Sequence, residues 1–469
     1  MKTINTKRNL IQICLLCAAL SQALTSGAQT VTKIAAGDMH SLFLKSDGSL
    51  WSMGSDQYGQ LGDGNATTYK TNLPEMIMAS GVTTIAAGGF QSLFIKGDGS
   101  LWAMGNNDFG GELGDGTFNN TNRPEQIVPG IPPLVTAIAG AYDYSLFLKS
   151  DGSLWGMGDN AEGQLGGGPL TKIPKEIVTN NVTTIAAGYS TYFEESLFLM
   201  NDTSLWAMGD NSYGELGNGT YTTIYPNGRA NLPQKIVPAN VTAIAGGGEY
   251  SLFLMGDGSL WGMGRNDYGQ LGDGTSNSST NLPEMIVTNG VTAIAAGSNH
   301  SLFIKNDGSL WAMGDNQYGE LGDGTYNNTN RPEMILASGV TAIAAGAYHS
   351  LFIKNDGSLW AMGFNINGQL GDGTYGSAPY YATNRPEQIV AGVPLGYNQI
   401  SAQVLSGNNV QLSFVGAAGT NYALDRTFKL SPANWVPQMT NPAGPGGVLL
   451  FTNTPDPATN NFWRVRSVP

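Results

Sequence analysis

Cysteine is almost absent from this chain of 469 residues: the two present, Cys14 and Cys17, both lie near the N-terminus. Histidine is nearly as scarce, with three, and charged residues make up only 12 %. Apolar spacing of three and four residues nowhere persists long enough for an amphipathic helix beyond the N-terminus, which argues against a helical fold. No stretch approaches the roughly twenty consecutive apolar residues of a membrane-spanning helix, so no membrane span is expected. Basic clusters are missing after Arg8, and the formal net charge is −13. Such a surface repels phosphate backbones, so nucleic acid is not expected as a partner.

The N-terminus reads as a targeting segment: Lys2, Lys7 and Arg8 precede an apolar stretch from Leu10 to Leu20, and Ser26-Gly27-Ala28 fits a small-residue cleavage site. Residues 1–28 are therefore expected to be a signal peptide, with the mature chain beginning near Gln29. Its removal takes away both cysteines and three basic residues, leaving an exported, disulfide-free chain with a formal net charge of −16. The expected location is secreted or in the cell envelope.

What the chain has in abundance is glycine, 65 residues of it, and repetition. The string SLFIKNDGSLWAMG, Ser301 to Gly314, returns with small changes seven times between Ser41 and Gly363. It reads as a β-hairpin, with Leu302 to Ile304 and Leu310 to Met313 as strands and Asp307-Gly308 as the turn. Each copy is preceded by a VTTIAAG-like phrase starting at Val31, Val82, Val135, Val182, Val241, Val291 and Val340, with spacings of 51, 53, 47, 59, 50 and 49 residues. A glycine-rich phrase such as Tyr268 to Thr275 and a closing strand such as Pro283 to Val287 complete the unit. Four strands per unit and seven units predict an all-β, seven-bladed β-propeller over residues 29–394. Residues 395–469 leave the period and read as a small β-sandwich-like C-terminal module.

The phrases AAGxxHSL, DGSLWxMG and YGQLGDGT resemble the repeats of the RCC1 (regulator of chromosome condensation) family of seven-bladed propellers, from Val31 to about Val393. In style the chain is closest to secreted bacterial RCC1-like proteins, a resemblance that implies a propeller face gripping another protein. The eukaryotic regulator implies a second role, guanine-nucleotide exchange, but its wedge and basic segments have no counterpart here.

Catalytic patterns are scarce. No GxSxG elbow, phosphate loop, HExxH helix or dinucleotide fingerprint occurs. The histidines His40, His300 and His349 all occupy one slot of the repeat, just before the Ser-Leu that opens the hairpin, where other copies carry Gln91, Tyr144, Glu195 and Tyr250. A supporting role within each blade is expected there, and no metal or other cofactor. The LGDG aspartates Asp63, Asp115, Asp273, Asp323 and Asp372 read as turn formers, not calcium ligands. Carboxylate chemistry on a glycan, through Glu194 and Glu195 with Glu249, is a further alternative.

Variation is concentrated between the AAG phrase and the hairpin. The expected binding rim is Phe90, Tyr142, Tyr144, Tyr189, Tyr192, Phe193, Glu194, Glu195, Tyr250, His300, Tyr348 and His349, on one end of the propeller. Rigid aromatics set among short polar residues suit recognition, because their area comes with little rotamer entropy to lose. The reading is a monomeric, non-enzymatic interaction protein that holds a protein or cell-surface glycan.

Overall fold

The computed structural model describes residues 29–392 except 66–68, 191–193, 222–229, 277–278 and 377–379, and then only the strands between 400 and 468. The chain divides into two compact units, Met1–Ala391 and Gly392–Pro469. The signal segment lies outside the described residues.

The first unit is seven four-stranded antiparallel sheets, each built from four consecutive strands. In the first blade these are β1 (Val31–Ala36), β2 (His40–Lys45), β3 (Leu50–Ser55) and β4 (Lys70–Met78). The other six begin at the six further valines named above. The seven-bladed propeller is thus as the repeat count predicts. First strands lie against the first strands of both neighbouring blades, so seven of them surround the central axis.

Position within the blade explains what each strand buries. In β2, Leu42, Phe43 and Leu44 are all buried, because the hairpin sits between two blades and has no solvent face. Phe43 stacks on Trp51 of the same blade, and Met53, Val31 and Phe43 join Leu351, Ile353, Leu359 and Leu370 of the last blade in one core cluster. An equivalent cluster forms at each of the other six interfaces, so the core is a ring of seven pieces.

The hairpin turn is as the sequence predicts. Gly308 has φ +76°, and Asp307 accepts a hydrogen bond from the Ser309 amide at 2.9 Å. Thr203 holds the same backbone shape at φ +61° in the blade that lacks the glycine. The glycine of each LGDG phrase answers to a second demand: a Cβ on Gly62 would lie 2.2 Å from Met104 Sδ of the next blade. LGDG aspartates serve the turn as expected, with Asp273 accepting from the amide and hydroxyl of Thr275 and from Asn266 Nδ2.

The second unit holds two three-stranded antiparallel sheets. One joins Ile400–Val404, Val410–Val415 and Val448–Asn453, and the other Val436–Pro442, Asn421–Thr427 and Phe462–Val468. Four of these six strands coincide with alternating runs in the sequence, Asn409 to Val415, Asn421 to Leu424, Val448 to Thr452 and Phe462 to Val465. Among the described residues no helix is long and apolar enough to cross a membrane.

Candidate functional site

Register decides which loops share an end of the propeller. His40 at the start of β2 pairs with Gly54 at the end of β3, and Gly54 with Thr71 near the start of β4. The β1–β2 loop and the segment after β3 therefore emerge together, while the Asp-Gly turn lies at the other end. Seven copies of this pair of loops build one face.

The residue before Ser-Leu points inward, not onto that face. His40, Gln91, Tyr144, Glu195, Tyr250, His300 and His349 are fully buried. Each spans to the following blade: His40 Nε2 lies 2.9 Å from Ser92 Oγ, His300 Nε2 2.9 Å from Ser350 Oγ, and His349 Nε2 2.8 Å from Ser41 Oγ, which closes the ring. Ser41 Oγ donates its proton to the Gln369 carbonyl at 2.7 Å, so it accepts from the imidazole, fixing the proton on Nε2. Tyr144 and Tyr250 donate to the Glu195 and His300 carbonyls at 2.6 Å. Burial pushes the three imidazoles down to about 3, leaving them neutral.

Tyr144, Glu195, Tyr250, His300 and His349 are therefore corrected from rim residues to latches between blades. Sequence periodicity marks the slot but does not say which way it faces. Tyr192 and Phe193 lie outside the described residues.

On the face itself, Phe90, Tyr142, Tyr189 and Tyr348 are half-buried. They are extended by aromatics that the reading of the loops missed, Tyr58, Phe109, Tyr318 and Phe364. Phe90 packs at 5.0 Å from Tyr58 and 5.3 Å from Tyr142, Tyr142 stacks on Phe109 at 6.4 Å, and Tyr189 meets Tyr142 edge-on at 6.4 Å. Across the axis, Tyr318 touches Tyr348 at 5.5 Å and Phe364 at 4.5 Å. The signal for Tyr58, Phe109 and Tyr318 was the aromatic that opens the glycine-rich phrase, easily taken for part of the turn.

The three glutamates do not converge. Glu194 is buried, accepting from the Tyr142 amide at 3.0 Å and Gln164 Nε2 at 2.8 Å. Glu195 faces the next blade, with Ser251 Oγ 3.5 Å away. Glu249 is paired with Arg265. Burial, reinforced by the Asp143 carboxylate, holds Glu194 well above the usual carboxylate range. One oxygen from each of Asp143, Asp159 and Glu194 lies within 4.8 Å of the others. They border a cavity of about 500 Å³ that Phe109 and Tyr142 also line.

Seven blades of this repeat, closed by side-chain latches and presenting one loop-built face, define an RCC1-type propeller. The RCC1-like domain profile matches residues 16–289, and the regulator of chromosome condensation (RCC1) repeat matches residues 291–320, 307–353 and 340–369. The chain belongs to the RCC1-like domain family. It is 28 % identical to the E3 ubiquitin-protein ligase HERC2 of Mus musculus over 248 residues, 52 % of this chain and 5 % of the ligase. It is 26 % identical to the ultraviolet-B receptor UVR8 of Arabidopsis thaliana over 259 residues, 53 % of this chain and 56 % of the receptor. The match thus spans a small part of the one relative and about half of the other. Prp20p from Saccharomyces cerevisiae shares the fold, with a TM-score of 0.64, 22 % identity, and coverage of 78 % of this chain and 87 % of Prp20p.

Proposed function

We propose that this chain is an exported, non-enzymatic interaction protein that uses the loop face of its propeller to hold a protein partner. The observation that carries the reading is the aromatic belt. Tyr58, Phe90, Phe109, Tyr142 and Tyr189 form a connected run across neighbouring loops, and Phe109 is 47 % exposed. Partly exposed rings held by a rigid scaffold suit a protein interface, where aromatic anchors supply most of the binding energy.

Export is proposed on the basic, apolar and small-residue order of residues 1–28. A binding role and not a catalytic one is supported by the dispersal of Glu194, Glu195 and Glu249 and by the neutral, buried state of the three histidines. The family leaves the task open: the relatives named are a ubiquitin ligase and a light receptor, so the role has to be argued from the face.

The test is capture from the producer's envelope and culture fluid by the chain from Gln29, beside a Phe90→Ala, Phe109→Ala, Tyr348→Ala variant. Loss of a protein band by the variant, with its melting temperature retained, is the expected result. Equal capture by both would clear the face, and a captured glycan in place of a protein would replace the partner class.

A further inference from the structure

The cavity between the third and fourth blades joins an aromatic wall to an acidic floor. Five blades carry an aromatic before the glycine-rich phrase, Tyr58, Phe109, Tyr213, Tyr268 and Tyr318; the seventh carries Asn367, and the third Glu162, preceded by the exposed Ala161. The cavity, of about 500 Å³, lies beside Ala161 and Glu162. Its wall is aromatic, with Phe109 and Tyr142 stacked nearly parallel, 11° apart. Its floor is acidic, with Asp143 and Asp159 beside Glu194.

The acids are tied down unequally. Glu194 is fully bonded to two backbone amides and Gln164. Asp159 accepts from the Ala161 amide at 2.8 Å. Asp143 shares a side-chain hydrogen bond with Glu194, but its Oδ1 is buried and meets no amide, hydroxyl or cationic donor. Among the described residues no lysine or arginine pairs with any of the three; the cations that do pair, Arg265 and Lys235, are bound to Glu249, Asp267 and Asp202. A buried acceptor without a donor is a standing cost that a donor from outside relieves.

We infer that this cavity receives a lysine or arginine side chain of the partner, its charge on Asp143 and Asp159 and its aliphatic stem against Phe109 and Tyr142. Both halves of the site suit such a residue: carboxylates give charge-assisted hydrogen bonds, and ring faces attract a cation. A neutral sugar would gain from the rings and not from the charge. The inference rests on the protein-binding reading and names the chemistry of its anchor.

Ligand-observed NMR with acetylated, amidated Gly-Arg-Gly and Gly-Lys-Gly tests it, against Gly-citrulline-Gly and Gly-norleucine-Gly as neutral counterparts. Binding of the charged peptides at least tenfold tighter than the neutral ones is expected, falling tenfold or more in Asp143→Asn and in Phe109→Ala. Phe109→Ala alters an exposed ring and leaves the fold intact, so its loss of binding reports on the site. Equal binding of charged and neutral peptides would overturn the inference. So would stoichiometric binding of calcium chloride without peptide binding, since the acids would then form a metal site. Peptide failure together with face-dependent capture of a partner would sink this inference and leave the broader reading standing.

Discussion

Asp56 is the residue whose chemistry fits its place least well. Six blades put asparagine there, and in five of them its Nδ2 donates to the acid or amide of the glycine-rich phrase, as Asn266 does to Asp273 and Asn211 to Asn218. Asp56 keeps one half of that arrangement, accepting from the Leu61 amide at 2.9 Å, but its Oδ2 is buried without a partner. Burial, with the Asp63 and Glu75 charges adding, pushes its carboxyl up to about 7. A raised folded-state value means stability is lost as pH climbs past the unfolded carboxylate range. Asp56→Asn restores the donor and is expected to stabilise the fold by about 1–3 kcal/mol at pH 8. The gain should shrink toward pH 5, which urea denaturation at the two pH values would show.

At the scale of the blade, the latches make the histidines an acid switch on stability. Neutral in the fold near a value of about 3, each takes up a proton on unfolding below roughly 6.5. Their stabilising contribution is therefore whole above that range and falls as pH drops, by about 2 kcal/mol each at pH 5. Buried Glu195 and Glu320 pull the other way, their carboxyls raised by burial, so they favour the fold as pH drops. The separation is made by His349→Gln, which copies the residue Gln91 of the second blade. Its urea midpoint is expected to fall less steeply between pH 7 and 5 than that of the parent chain.

The same element shows what was legible in the sequence. The hairpin was, because an Asp-Gly turn and the strands beside it are decided within a dozen residues. The destination of the slot residue was not, because His40 meets Ser92 across a blade boundary, 52 positions away in the chain. Outer strands carry another legible device: Pro74, Pro124 and Pro283 stand mid-strand on the exposed edge, where a missing amide blocks pairing with a further strand. Tyr58 and Phe109 escaped notice because a turn phrase and a face residue can share one position.

For the whole molecule, closure without a shared blade is the main constraint. First and last blades meet through Val31 to Gly357, Ser41 to His349 and Gln369, and Asn72 to Gly373, with a continuous apolar cluster beneath. A ring locked this way holds seven loop pairs in fixed relation, which pre-organises a surface at little entropic cost to binding. The cavity lies beside the third blade's departure from the repeat, at Ala161 and Glu162.

The claim that this face is where the protein works is tested most directly by site-specific photo-crosslinking in the producing cells. A benzophenone side chain replaces Phe109 in one strain and Met285, 50 % exposed on an outer strand, in another. A protein adduct from position 109 and none from position 285 is the predicted result. An adduct from 285 alone would place the interaction on the rim of the blades and contradict the account.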